Sequence, residues 1–308
     1  MIQGTGIDNP GDFAPGWLKD YLDATQWNKY PQSFHLLSGL LALSAVAGRR
    51  SSLVRSTFSL WPPTSVLLLG PSGTGKSQSL YIARDVVEKA VVAPWRNEHG
   101  VHRHRRGFVL TEQSFTPRGL LEEWLRVQAT HGTTFLEGLH VETEMSKILP
   151  PRAGNEQMDT WIIGTQEHRN VEAITGHRGR QVITDVTVAF GFASTVPYLR
   201  NSISADQFAG GLMHRFLIAN EPSPRRGTPI RHGTPTDETK QALARGLVEI
   251  HLKAPAELTV DRKAEAALTR LAQQRKYFNE STLSGFWERL AELTAKVAML
   301  FTLADRRG

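Results

Sequence analysis

Ser65-Val66-Leu67-Leu68-Leu69-Gly70-Pro71-Ser72-Gly73-Thr74-Gly75-Lys76-Ser77 joins a short apolar run to a glycine-rich loop, and a helical pattern follows to about Val92. A continuous apolar run before a turn is what a strand buried on both faces looks like. The order is therefore strand, glycine loop, helix. Gly70, Gly75, Lys76 and Ser77 match the pattern G-x-x-x-x-G-K-[ST]. Each part has a physical reason. Glycines let the loop curl so that successive N–H groups converge on phosphate oxygens, and the following helix points its positive end at them. Lys76 would reach the β- and γ-phosphates, Ser77 would hold Mg²⁺ through its hydroxyl, and the cradle from Gly70 through Pro71, Ser72, Gly73, Thr74 and Gly75 extends to Gln78. The expected ligands are ATP and Mg²⁺.

Working outward, the rest of the chain sets bounds. It has 308 residues, 40% hydrophobic and 21% charged, enough for a packed core. It contains no cysteine, which excludes a disulfide scaffold, thiolate metal sites and cysteine nucleophiles. Lys and Arg total 36 against 30 acids, a formal +6 that weakly favours a polyanionic partner. The first residues lack a charged start followed by an apolar block, so no signal peptide is expected. The stretch 32–48 has no formal charge, but His35, Gln32 and three serines interrupt it. It reads as a buried helix rather than a membrane span, and a cytoplasmic location is expected.

Strand-like and helix-like segments alternate beyond the loop. Strands are expected at 108–111, 139–142, 186–193 and 216–219; helices at 116–130, within 154–164 and at 204–212. The segment 171–181 reads as a loop or hairpin, and 17–30 and 32–48 read as helices before the loop. After a Pro/Gly/Arg-rich linker at 222–237, amphipathic helices are expected at 240–251, 261–279 and 289–305. The fold expected is α/β: a P-loop core with a mainly parallel five-stranded sheet, helices on both faces, N-terminal helices and a C-terminal helical bundle. Residues 1–60 form an N-terminal arm and helical segment, 61–222 the core, and 223–308 the linker and helical region. The natural chain is expected to continue past Gly308.

Hydrolysis needs carboxylates beside the phosphates. Leu139-His140-Val141-Glu142-Thr143-Glu144 is an apolar strand ending in acids, which places them at the carboxyl edge of a parallel sheet. Glu144 is assigned to the attacking water and Glu142 to the metal side. The bland alternative is two solvated glutamates; Asp185 is a weaker rival. Ser194-Thr195 ends the fourth strand, where ATPases with an extra strand between the P-loop strand and the acidic strand sense the γ-phosphate; the alternative is an ordinary polar strand end. Arg215 precedes the fifth strand, where a guanidinium can project from one subunit into the next subunit's site; the alternative is a surface ion pair. Two basic stretches could meet nucleic acid: Arg103, Arg105 and Arg106 in 96–106, and Arg178 and Arg180 in a glycine-flanked tip. Each could equally be a solvated loop. His99, His102 and His104 are not read as a metal site.

In order along the chain, these pieces resemble the P-loop ATPases found beside or fused to primases in phages, plasmids and mobile elements, an additional-strand class close to AAA+ and superfamily 3 helicases. The resemblance spans about residues 12–305. It rests on Pro31, Phe34-His35, Leu41 and Ala47-Gly48-Arg49-Arg50 before the loop. It continues through Thr116-Pro117 with Leu120-Leu121, then Glu144-Met145-Ser146, and finally Gly211-Leu212 with Arg215-Phe216. Only the phosphate loop is individually specific. The resemblance implies ATP-driven unwinding or translocation of single-stranded DNA during replication, by a ring (a hexamer is expected) that works with a primase or another replication protein and no membrane. Three readings stand beside it: a viral DNA-packaging motor, a switch ATPase that remodels a protein complex without gripping DNA, and a small-molecule or nucleoside kinase.

Overall fold

The computed structural model describes residues 10–26, 30–55, 58–92, 95–96, 102–103, 107–112, 117–145, 156–167, 170–175, 179–203, 211–222, 233–273 and 284–305. Its strands, in chain order, are β1 (Ser52–Arg55), β2 (Phe58–Leu60), β3 (Ser65–Leu69), β4 (Trp95–Arg96), β5 (His102–Arg103), β6 (Phe108–Glu112), β7 (Leu136–Glu142), β8 (Val171–Thr175), β9 (Gly179–Ile183), β10 (Val186–Ser194), β11 (Phe216–Asn220) and β12 (Glu257–Leu258). Its helices are α1 (Gly16–Thr25), α2 (Gln32–Ala47), α3 (Lys76–Val92), α4 (Pro117–His131), α5 (Glu156–Gln166), α6 (Val196–Ser202), α7 (Asp237–Lys253), α8 (Arg262–Gln273) and α9 (Ser284–Ala304).

The five strands expected from the sequence make one sheet, in the order β11-β3-β10-β7-β6, and every neighbour runs parallel. β3, β7 and β10 are buried along their whole length. That is why they read as unbroken apolar runs: both faces are covered. Alternate residues serve opposite faces. Val66 and Leu68 join the core under α2 and α3, while Leu67 and Leu69 join the core under α4 and α5. Trp124 of α4, Trp161 of α5 and Phe190 and Phe192 of β10 fill the second core, with ring centroids 5.7–6.5 Å apart.

The first face is built around α2, which is apolar on nearly every side and correspondingly enclosed. It lies close to the sheet because Gly191 of β10 has no side chain; a methyl there would come within 2.4 Å of Leu41. α1 is tied to α7 by the Trp17 indole N–H, which donates to the Leu243 carbonyl at 2.8 Å. α1 ends at Thr25, short of the helix expected to Tyr30. α7 starts where the Thr236 hydroxyl caps its first turn, and it is bound to α3 by the pairs Lys89–Asp237 (2.7 Å) and Lys240–Asp85 (2.6 Å).

Beside the main sheet stand three smaller ones, of which two lie outside the expected pattern. β1 pairs parallel with β12 and antiparallel with β2, a small mixed sheet that packs Leu53 and Leu60 against Ala295 and Met299 of α9. β8 and β9 form the expected hairpin before β10. β4 and β5 pair antiparallel across part of the histidine-rich stretch. The helix expected at 204–212 falls largely outside the described residues. Among the described residues, no helix is long and apolar enough to cross a membrane.

Candidate functional site

In parallel register, Leu69 lies beside Ser194 and Asn220, and Glu142 lies beside Phe192. The carboxyl ends of β3, β7 and β10 therefore share one edge, the edge at which open α/β sheets bind ligands. β10 runs between β3 and β7. A cleft of about 650 Å³ opens at this edge. Its walls include the loop residues Ser72, Gly73, Gly75, Lys76, Ser77 and Gln78, and across from them Thr143 and Glu144, with Ser194 and Thr195 between.

The loop is curled as its glycines permit. Gly73 has φ +79° and Gly75 φ +87°, a region that side-chain-bearing residues rarely adopt. The amides of Lys76, Ser77 and Gln78 open α3, so they have no acceptor within the helix. Lys76 is largely buried, and burial lowers its pKa. Its ammonium donates to the carbonyls of Gly70 (2.8 Å) and Pro71 (2.6 Å) and reaches the Thr74 hydroxyl at 3.3 Å. Thr74 in turn donates to the Pro71 carbonyl at 2.8 Å. These residues suit a polyphosphate: positive-φ glycines, orphaned helix-start amides and one ammonium, with the Ser77 hydroxyl and the Glu144 carboxylate on the same cleft as hard oxygen donors of the kind Mg²⁺ takes.

The two acids separate in position. Glu144 lines the cleft, whereas Glu142 is 2% exposed and does not. The Glu142 carboxylate accepts the Glu144 backbone N–H at 2.9 Å, so it shapes the turn that presents Glu144. Thr143 reaches the cleft beside it. Glu142, expected on the metal side, thus lies beneath the residues that line the cleft, with one carboxylate oxygen engaged by its own turn. Asp185 is at the opposite edge, at the start of β10, paired with Arg49 at 2.8 Å.

Ser194 and Thr195 sit at the cleft. The Ser194 carbonyl accepts the Gly70 N–H at 3.3 Å, which joins the end of β10 to the start of the loop. Thr195 caps α6 by accepting the Tyr198 N–H.

Arg215 differs from the expectation of an outward arginine. Its guanidinium donates to the Gly211 carbonyl at 2.7 Å and pairs with Glu167, which also receives Arg289 at 3.0 Å. An inward-facing partner acid outcompetes solvent for this side chain within one chain. Of the basic residues, Arg180 is held by Glu172 through two hydrogen bonds, 2.7 and 3.1 Å. Arg103 lies in β5, and its side chain is outside the described residues, as are Arg105, Arg106 and Arg178 entirely. Among the described residues no group of His, Asp or Glu is placed to hold a metal ion on its own.

Two aromatic residues of the cleft escaped the sequence reading, Tyr30 and Tyr198. Tyr198 stands on α6 beyond Thr195, and Tyr30 directly precedes Pro31 and α2. A tyrosine before a helix-opening proline carries no local sign that its ring reaches a loop more than forty residues on. No protein-family model matches the chain, and no curated protein matches it.

Proposed function

We propose that the chain is a Mg²⁺-dependent ATPase with a P-loop core that acts as a ring, hexameric by resemblance, to unwind or translocate single-stranded DNA in phage, plasmid or mobile-element replication. The cytoplasm is its place of work. One observation carries the reading: a glycine loop with a buried lysine, a cleft-facing carboxylate and a strand-end serine–threonine pair share one cleft, with β10 between the loop strand and the acidic strand.

In this reading the loop amides and Lys76 bind the β- and γ-phosphates. Ser77 holds the metal, which when bound neutralises charge on the phosphates. Glu144 accepts the proton of the attacking water, and Glu142 fixes the Glu144 turn from below. Ser194 or Thr195 donates a hydrogen bond to the terminal phosphate. Arg215 completes a neighbour's site only when assembly draws it away from Glu167.

The pairing of Arg180 with Glu172 favours a second reading, a switch ATPase that remodels a protein complex without gripping DNA. The ATPase rate with and without single-stranded DNA, taken with the mass of the assembled particle, separates the two. DNA stimulation of a ring-sized particle supports the first reading. An ATPase indifferent to DNA supports the second, and a chain without ATPase activity refutes both.

A further inference from the structure

A loop that grips phosphates treats every triphosphate alike; selection of a nucleoside needs something that meets the base. The Tyr30 ring packs against the loop at Gly75. A methyl added to Gly75 would stand 2.0 Å from Tyr30 Cδ1 and 2.2 Å from Cγ, so ring and loop are already in contact. The same ring forms part of the cleft wall.

Its placement is built in. Phe34 N–H donates to the Pro31 carbonyl at 3.0 Å as α2 begins, and the Ser33 hydroxyl donates to Glu221 Oε1 at 2.6 Å. Glu221 follows β11, and its N–H donates to the carbonyl of Leu69, the residue before the loop. The start of α2 is thereby stapled to the sheet edge on the β11 side of the loop. His35 stands beside Tyr30, ring centroids 6.4 Å apart, buried and neutral, its pKa pushed down to about 3 by burial.

Glu144 follows β7, Ser194 ends β10, Thr195 caps α6 and Tyr198 lies in α6, and β7 and β10 are on the other side of β3 from β11. The cleft therefore has two ends: one with the carboxylate and hydroxyls suited to a terminal phosphate, flanked by the 64% exposed Tyr198, and the other with the Tyr30 ring packed on the loop itself. Resting on the P-loop reading above, we propose that Tyr30 is the base platform of the site, stacking its ring on the base of a bound nucleoside triphosphate and so selecting nucleotides over inorganic polyphosphate. Stacking needs only a π face, so adenine and guanine are both accepted.

The test is calorimetric titration of ATP, GTP and inorganic tripolyphosphate into the parent chain, Tyr30→Phe and Tyr30→Ala. Tyr30→Ala should weaken ATP and GTP by about ten-fold or more and leave tripolyphosphate within about two-fold, whereas Tyr30→Phe should match the parent. Equal losses for nucleotide and tripolyphosphate would make Tyr30 a mere support for Gly75 and overturn the proposal. Unchanged or tighter ATP binding by Tyr30→Ala would overturn it as well, the ring then being a bystander or a cover. A parent chain that binds neither ATP nor tripolyphosphate would instead refute the underlying phosphate-site reading.

Discussion

Removing Glu167 should unfold the chain more readily than its partial exposure suggests. Its carboxylate receives both Arg215 and Arg289; Arg289 also pairs with Glu292 at 2.7 Å, and Lys296 reaches Glu292 at 3.3 Å. Among the described residues, three cations thus meet two carboxylates where the turn before β11 joins α9. The Lys296 side chain is 2% exposed, Arg215 10% and Glu167 17%. Glu167→Ala leaves three cations facing one acid. Losing one partner of a buried pair costs roughly 3–5 kcal/mol, and the residual exposure argues for the lower end, about 3 kcal/mol. With an unfolding entropy of about 2 cal/mol/K per residue, a chain of this length should lose about 5 °C of melting temperature. Lys296→Met removes the surplus cation, keeps most of the stem and leaves Glu292 paired with Arg289. It should be neutral or stabilising by about 1 kcal/mol.

Burial also lowers the Lys296 pKa from its ordinary 10.5. The unfolded chain then holds more protons in the window below 10.5, so stability rises with pH there, and Lys296→Met should abolish that rise. Differential scanning calorimetry reads all three effects. A Glu167→Ala midpoint within about 1 °C of the parent, or a Lys296→Met loss as large as that of Glu167→Ala, would refute the reasoning.

The remaining predictions concern the site and the core. Glu144→Gln should bind ATP as the parent does and lose hydrolysis by about a hundred-fold or more; a phosphate-release assay showing parental turnover would move the role to another residue. Glu172→Gln should free Arg180, tighten single-stranded DNA binding at low salt and steepen its salt dependence by about one counterion; fluorescence anisotropy with an unchanged salt slope would remove the hairpin from the DNA path. His140 is fully buried between Phe190 and Phe192, its ring nitrogen 2.7 Å from the Thr111 hydroxyl, and burial pushes its pKa to about 3. It stays neutral when folded but takes a proton when unfolded below about 6.5, so stability falls as pH drops from there towards 3. His140→Leu should flatten the slope of unfolding free energy between about pH 6 and about pH 4 by about 1.4 kcal/mol per unit, and an unaltered slope in urea titrations would contradict the assignment.

The main sheet was readable because its signals are local. β3, β7 and β10 are continuous apolar runs, and the loop after β3 is marked by residues within a dozen positions. β1, β2 and β12 carry no such mark. They are two to four residues long, and β1 finds β12 some two hundred residues later, so pairing rather than propensity makes them strands. The cleft divides the same way. Gly73, Lys76 and Glu144, which line the cleft, are marked by signals local to the sequence. The burial of Glu142 depends on how its own turn closes, and the inward pose of Arg215 on an acid 48 residues away. Tyr30 depends on the staple between Ser33 and Glu221, residues 188 positions apart.

ATP hydrolysis by the purified chain, compared with Lys76→Ala in the presence of Mg²⁺, tests the account most directly. Phosphate release by the parent and none by the variant, whose loop has lost the ammonium that sits on the Gly70 and Pro71 carbonyls, is the predicted result. Equal release by both chains would contradict it.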